Sequence, residues 1–122
     1  MLEKDILKKV IEKLESFKLS GDILWYRRLH NGIFFTRQGY PVTMGAKPDL
    51  DDGKDLDIVV IVNCGNGKIA QLHIDTKRSK VKKFDFEQQV FADSMAGTPM
   101  TMCVVVNDPG QLWPAIEKAK RL

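Results

Sequence analysis

Three features of the sequence point to an α/β domain with a mixed β-sheet flanked by helices. An amphipathic helical period opens the chain. Two strand-like runs at its centre, rich in β-branched residues, flank a glycine-rich turn. A helix, a strand and a further helix follow them. The expected order is α-β-β-β-β-α-β-α, which mixes a hairpin with a helical crossover and so gives a mixed sheet between helical layers. At 122 residues the chain is read as one domain, residues 1–122, with a modest core.

Residues 2–18 place Leu2, Ile6, Val10, Leu14 and Phe17 at three- and four-residue steps, with Lys and Glu on the opposite face, which predicts a helix. Ser20-Gly21 ends it. Ile23–Leu29 and Ile33–Thr36 read as strands, with Asn31-Gly32 between them as a tight turn of the I′ kind. Residues 37–56 hold Gly39, Pro41, Gly45, Pro48 and Gly53 and read as a loop. Asp57–Asn63 is β-branched almost throughout and reads as a buried strand. Gly65-Asn66-Gly67 turns the chain back into Ile69–Lys77. Phe84–Ala96 is expected to be a helix that Gly97-Thr98-Pro99 stops. Thr101–Val106 is a strand, Asn107–Gly110 a turn, and Leu112–Leu122 a basic helix.

Hydrophobic residues at 43% and charged residues at 29% describe an ordinary soluble domain. No apolar run approaches the roughly 20 residues of a membrane span. The N-terminus lacks the apolar stretch of a signal peptide, so a cytoplasmic location, with association to DNA or the nucleoid or a phage origin, is the expectation. Cys64 and Cys103 form no CxxC pair and read as two free thiols rather than zinc ligands. The net charge of +3 is mild, but Lys77, Arg78, Lys80, Lys82 and Lys83 put five cations into seven residues. Arg27, Arg28 and Arg37 form a second basic region. Such runs are commonly solvated loops; beside a metal-competent strand they suit phosphates.

The chemistry centres on the strand ending in Asp75-Thr76-Lys77. Alternate residues share a face, so Ala70, Leu72 and Ile74 form an apolar face, and Gln71, His73, Asp75 and Lys77 a polar one. A carboxylate beside an ammonium can hold a hard divalent cation next to a scissile phosphate. A second acid is needed, and the hairpin ranks the candidates. A three-residue turn at 65–67 makes paired numbers sum to 132, so Asp75 faces Asp57. A two-residue turn shifts the partner to 58, and a five-residue turn shifts it to Asp55. Directly paired residues carry Cβ atoms about 5 Å apart on one face, which ranks Asp57 first. Asp49 stands eight residues before Asp57, roughly 26 Å along an extended chain at about 3.3 Å per residue. It joins the site only if residues 50–56 fold back.

An aspartate at the head of a strand, a hairpin and an Asp-x-Lys resemble the PD-(D/E)xK nuclease superfamily, most closely its small VRR-type domains from phages and repair enzymes. The resemblance runs from the first helix to Thr101–Val106. It implies a restriction-endonuclease-like fold and Mg²⁺-dependent hydrolysis of DNA phosphodiesters, with Mn²⁺ able to substitute and no organic cofactor. Asp75 becomes a metal ligand, Lys77 the lysine that assists the attacking water, and Gln88 the glutamine of the following helix, with Gln89 as its competitor. Glu3 matches an additional acid that some members carry. Two departures stand out. Asp replaces the commoner Glu at 75, and Pro48-Asp49 follows Gly45 one residue later than the family pattern has it. Asp49 therefore stays a rival of Asp57 as the first metal ligand.

Arg78, Lys80, Lys82 and Lys83, with Arg27, Arg28 or Arg37, are expected to hold the DNA backbone by shape more than by sequence. A homodimer acting on duplex or branched DNA, such as a Holliday junction, fits a chain this small. Blander readings stand beside these. Asp75 and Lys77 suit a surface ion pair, and Gln88 a helix-surface residue. His73 suits a half-exposed strand histidine, His30 a turn, and Trp25, Tyr26 and Trp113 core or interface positions. As alternatives to the enzyme, the whole chain suits a non-catalytic DNA-binding domain of the same fold, or an assembly protein.

Overall fold

The computed structural model describes residues 2–28, 33–35, 41–43 and 56–122. The elements are helix α1 (Glu3–Ser20), strands β1 (Ile23–Arg28), β2 (Ile33–Phe35), β3 (Pro41–Thr43), β4 (Ile58–Gly65) and β5 (Lys68–Thr76), helix α2 (Phe86–Met95), strand β6 (Thr101–Val106), and helix α3 (Leu112–Lys120) after a 3₁₀ turn at Pro109–Gln111. The α/β class and the expected order hold, with one addition. Pro41–Thr43, inside the stretch read as a loop, forms a short strand.

An open four-stranded sheet carries the order β1-β4-β5-β6, and β2 and β3 form a separate pair. The sheet is mixed because β4 and β5 are antiparallel while β5 and β6 are parallel. That parallel step requires a crossover, which α2 supplies. The Asn31-Gly32 turn lies outside the described residues. The strands on either side of it do not pair with each other: β1 pairs with β4, and β2 with β3.

One face of the sheet carries the core. Ile58, Val60 and Val62 of β4 and Ala70, Leu72 and Ile74 of β5 are buried against Ile6, Val10 and Leu14 of α1 and Leu112, Ile116 and Ala119 of α3. Period-2 burial on the strands meets a three- and four-residue stripe on each helix, as the apolar spacing dictates. Trp113 stacks on Phe17 with ring centroids 5.2 Å apart, and Lys120 lies over it while pairing with Asp22 at 2.6 Å. Trp113 and Trp25 both stay partly exposed. No helix among the described residues is long and apolar enough to cross a membrane. Cys64 and Cys103 are free and half-buried.

The β4–β5 register decides what faces Asp75. From Ile58↔Ile74 to Asn63↔Ile69 the paired numbers sum to 132, but at the turn Gly65 pairs with Lys68. The turn itself is therefore two residues, Asn66 and Gly67, both at positive φ. Unpaired Cys64, next to Gly65 at φ 83°, forms a bulge that restores the register of a three-residue turn. Without it, Ile58 would face Asp75.

Candidate metal and nucleic-acid site

The site lies on the sheet face opposite α1 and α3, where α2 covers the ends of β5 and β6. Asp75, at the end of β5, is 1% exposed. Its Oδ1 accepts a hydrogen bond from Gln88 Nε2 at 2.8 Å, and its Oδ2 lies 3.0 Å from Lys77 Nζ. Oδ2 is buried and accepts no well-aligned hydrogen bond, so the ammonium meets it as an ion pair alone. Lys77 follows the strand and is anchored by its backbone N–H, which donates to Val106 O at 3.0 Å.

Asp57 stands one residue before β4. The register extrapolates to a pairing with Asp75, but the ladder stops at Ile58↔Ile74. In place of the next rung, Asp57 Oδ2 accepts from both the backbone N–H and the Oγ1 hydroxyl of Thr76, each at 2.9 Å. One aspartate thus caps the end of β5 while standing against the carboxyl of the other. Burial, and then the Asp57 charge, push the pKa of Asp75 up to about 7 even though Lys77 pulls it down. Burial also works against the Lys77 charge. The carboxylate of Asp75, helped by Asp85 and Glu3, outweighs that and holds the lysine above its ordinary pKa. Among the described residues, Asp57 and Asp75 stand carboxyl to carboxyl with the Lys77 ammonium paired to Asp75, an arrangement that a shared proton or a further cation relieves.

Helix α2 sets Gln88. Asp85 is its N-cap and accepts from Gln88 N at 2.9 Å, while Gln88 Oε1 accepts from Asp85 N at 3.1 Å. This capping box leaves the amide N–H₂ of Gln88 aimed at Asp75. Gln88 is 3% exposed, which overturns its reading as a surface residue. Gln89 instead bonds Asp93 on the outer face of the helix. Asp85 Oδ2 also lies 4.0 Å from Lys77 Nζ. One turn further along α2, Phe91 meets the edge of His73 at 5.4 Å. His73 is buried, not half-exposed as the alternation alone suggested, because α2 covers it. Cys103 stands beside His73 on the same face, and burial raises its thiol pKa to about 11, which favours the protonated thiol.

The structure brings Asp57, Asp75, Lys77 and Gln88 together. Asp49 and Arg37 lie outside the described residues. Arg78, Lys80, Lys82 and Lys83 are exposed on the segment between β5 and α2. That segment is held by Asn107, whose Nδ2 donates to Ser79 O at 3.1 Å and to Val81 O at 3.0 Å. Arg27 pairs with Val59 on the site face of the sheet, whereas Arg28 pairs with Ile58 and lines a groove with Lys4, Leu7 and Ile11 of α1. The two neighbouring arginines therefore point to opposite faces. Glu3 is exposed at the start of α1, near enough to act on Lys77.

Sequence reasoning missed Thr76, Asp85 and Asn107. The Asp85-x-x-Gln88 spacing carries a capping-box signal that could have placed the first of α2's turns. Nothing local marks Asn107, which acts on carbonyls 26 and 28 residues away. Among the described residues no group of three or more His, Cys, Asp or Glu side chains is gathered to hold a metal. The donor set available is the carboxyl pair Asp57 and Asp75, with one unaligned buried oxygen on Asp75. Two hard oxygen donors suit Mg²⁺ better than a thiolate- or imidazole-seeking ion. No protein-family model matches the sequence, and no curated protein or solved structure matches it either.

Proposed function

We propose that this chain is a Mg²⁺-dependent endodeoxyribonuclease of the PD-(D/E)xK type with a restriction-endonuclease-like sheet. The observation that carries the reading is the contact of two carboxyls, Asp57 and Asp75, with Lys77 Nζ 3.0 Å from Asp75 and the Asp75 pKa lifted to about 7. Such a pair is costly to bury as two charges and becomes favourable when a cation joins it.

In this reading Asp57 and Asp75 hold Mg²⁺, with Asp49 as the rival first ligand, and Mn²⁺ can substitute. The ion supplies an acidified water and neutralises charge on the phosphate. Gln88 fixes the Asp75 carboxylate through Oδ1, leaving Oδ2 as the reactive edge. Lys77 Nζ, held between Asp75 and Asp85, stands where it can orient the attacking water or offset charge on the pentavalent phosphorus. Arg78, Lys80, Lys82, Lys83 and Arg27, and Arg37 if it reaches the site face, hold the phosphate backbone. Arg28 faces the other way and drops out of that set. The proposed partner is duplex or branched DNA, bound by a homodimer.

The test compares the unaltered protein with Lys77→Ala on linear, branched and single-stranded DNA in Mg²⁺ or Mn²⁺. Loss of cleavage with DNA binding retained supports the enzyme. If the unaltered protein cuts none of these substrates, the enzyme reading fails, and retained DNA binding then identifies a non-catalytic binder. Crystals soaked in Mn²⁺ supply an independent check. An anomalous peak between Asp75 and Asp57 supports this ligand pair, a peak between Asp75 and Asp49 moves the first ligand, and no peak at Asp75 overturns the metal site.

A further inference from the structure

We infer that Thr76, the middle residue of Asp75-Thr76-Lys77, is a positioning residue that limits Asp57 to one ligating oxygen and so selects Mg²⁺ over Ca²⁺. The inference rests on the proposed metal site and deepens it by naming what sets its choice of ion. Thr76 closes β5 and is fully buried. Its backbone N–H and its Oγ1 hydroxyl both donate to Asp57 Oδ2, each at 2.9 Å. A carboxylate oxygen offers about two lone pairs. Two donors use up Oδ2 and leave Oδ1 to meet an ion. Asp75 is held in a similar way, with Oδ1 taken by Gln88 and Oδ2 outside any well-aligned hydrogen bond.

The backbone leaves the Asp57 carboxylate little other freedom. Leu56 and Ile58, on either side of it, are both fully buried, so the chain there is fixed and the side-chain torsions alone choose how Asp57 meets an ion. Thr76 locks those torsions. Any residue but proline supplies the N–H at this position, so the hydroxyl is the part of the lock that belongs to threonine. The two ions answer differently to it. Mg²⁺ demands near-ideal octahedral geometry and keeps several waters, which suits one oxygen from each of two fixed carboxylates. Ca²⁺ takes about six to eight oxygens in flexible geometry and readily uses both oxygens of one carboxylate. A saturated Oδ2 denies it the second.

The experiment follows free Mn²⁺ by electron paramagnetic resonance and displaces bound Mn²⁺ with Mg²⁺ or Ca²⁺ at fixed pH, which gives both affinities without turnover. Thr76→Val removes the hydroxyl and keeps the shape and the N–H. It is expected to lower the ratio of Mg²⁺ to Ca²⁺ affinity about tenfold. Thr76→Ser, which returns a hydroxyl, is expected to restore the ratio. A ratio that Thr76→Val leaves unchanged, whether both affinities fall together or neither moves, or that Thr76→Ser fails to restore, overturns the inference while the metal site stands. Should Thr76→Val not fold, crystals of the unaltered protein soaked in Mn²⁺ decide. An ion on Asp57 Oδ1 with Oδ2 still held by Thr76 supports the inference; an ion on Oδ2, or on Asp75 without Asp57, overturns it. If the unaltered protein binds no Mn²⁺, the inference and the metal site fall together.

Discussion

Asp75 is the residue on which stability and chemistry oppose each other. Its folded pKa of about 7 lies above the ordinary carboxyl value, so the folded state holds this proton more tightly than the unfolded chain does. Its contribution to stability is fully present below about pH 4 and is lost as pH rises through about 7. Asp75→Asn removes that dependence while keeping an acceptor for Gln88. Without divalent ions, the gap in unfolding free energy between Asp75→Asn and the unaltered protein is expected to grow from pH 4 to pH 7. At pH 8 it should favour the variant by on the order of 1 kcal/mol, the lost Lys77 ion pair offsetting part of the gain. Denaturant titrations across that range measure it, and a gap that stays flat would contradict the repulsion. Saturating Mg²⁺ should raise the melting temperature of the unaltered protein at pH 8 and leave that of Asp75→Asn unmoved. The same substitution should lower Mg²⁺-dependent cleavage by at least about a hundredfold, a loss of roughly 2.7 kcal/mol of transition-state stabilisation.

The hairpin β4–β5 works at the scale of an element. A one-residue insertion between Asn63 and Cys64 keeps the bulge and sets Ile58 opposite Asp75, which puts the core face of one strand against the site face of the other. That variant is expected to lose its cooperative unfolding transition, as followed by circular dichroism. Gly65→Ala is a milder probe. A Cβ there meets nothing within 4 Å, so its cost is the left-handed backbone alone, about 1–2 kcal/mol in denaturant titration. The segment between β5 and α2 offers a second test. Asn107 gives both amide hydrogens to its carbonyls, so Asn107→Ala frees the chain that carries the exposed lysines. DNA affinity should fall several-fold with little change in turnover at saturating DNA. A fall in turnover alone would argue against a role in holding that segment.

For the whole molecule, binding should depend on salt through the basic segment. Replacing Lys80, Lys82 and Lys83 with Ala should flatten the plot of log affinity against log salt by about 0.9 for each cation that touches a phosphate. Arg28→Ala should leave that slope unchanged, because Arg28 lies on the α1 side of the sheet. Filter binding at graded salt separates the two. Equal effects would mean that DNA reaches both faces.

The apolar spacing of Ile6, Val10 and Leu14, and the alternation of Ile58, Val60 and Val62 against Ala70, Leu72 and Ile74, were readable as elements and faces. Burial periodicity is a local property of the chain. The pairing number of 132 was readable too, although a bulge at Cys64 produces it rather than a three-residue turn. The cover over His73, the burial of Gln88, the divergence of Arg27 and Arg28, and the hold of Asn107 on the basic segment were not readable. Each depends on where α1 and α2 lie against the sheet, and long-range packing leaves no mark on the spacing of the residues it joins. The lifted pKa of Asp75 belongs with these, since desolvation and the Asp57 charge exist only once β4, β5 and α2 have closed around it.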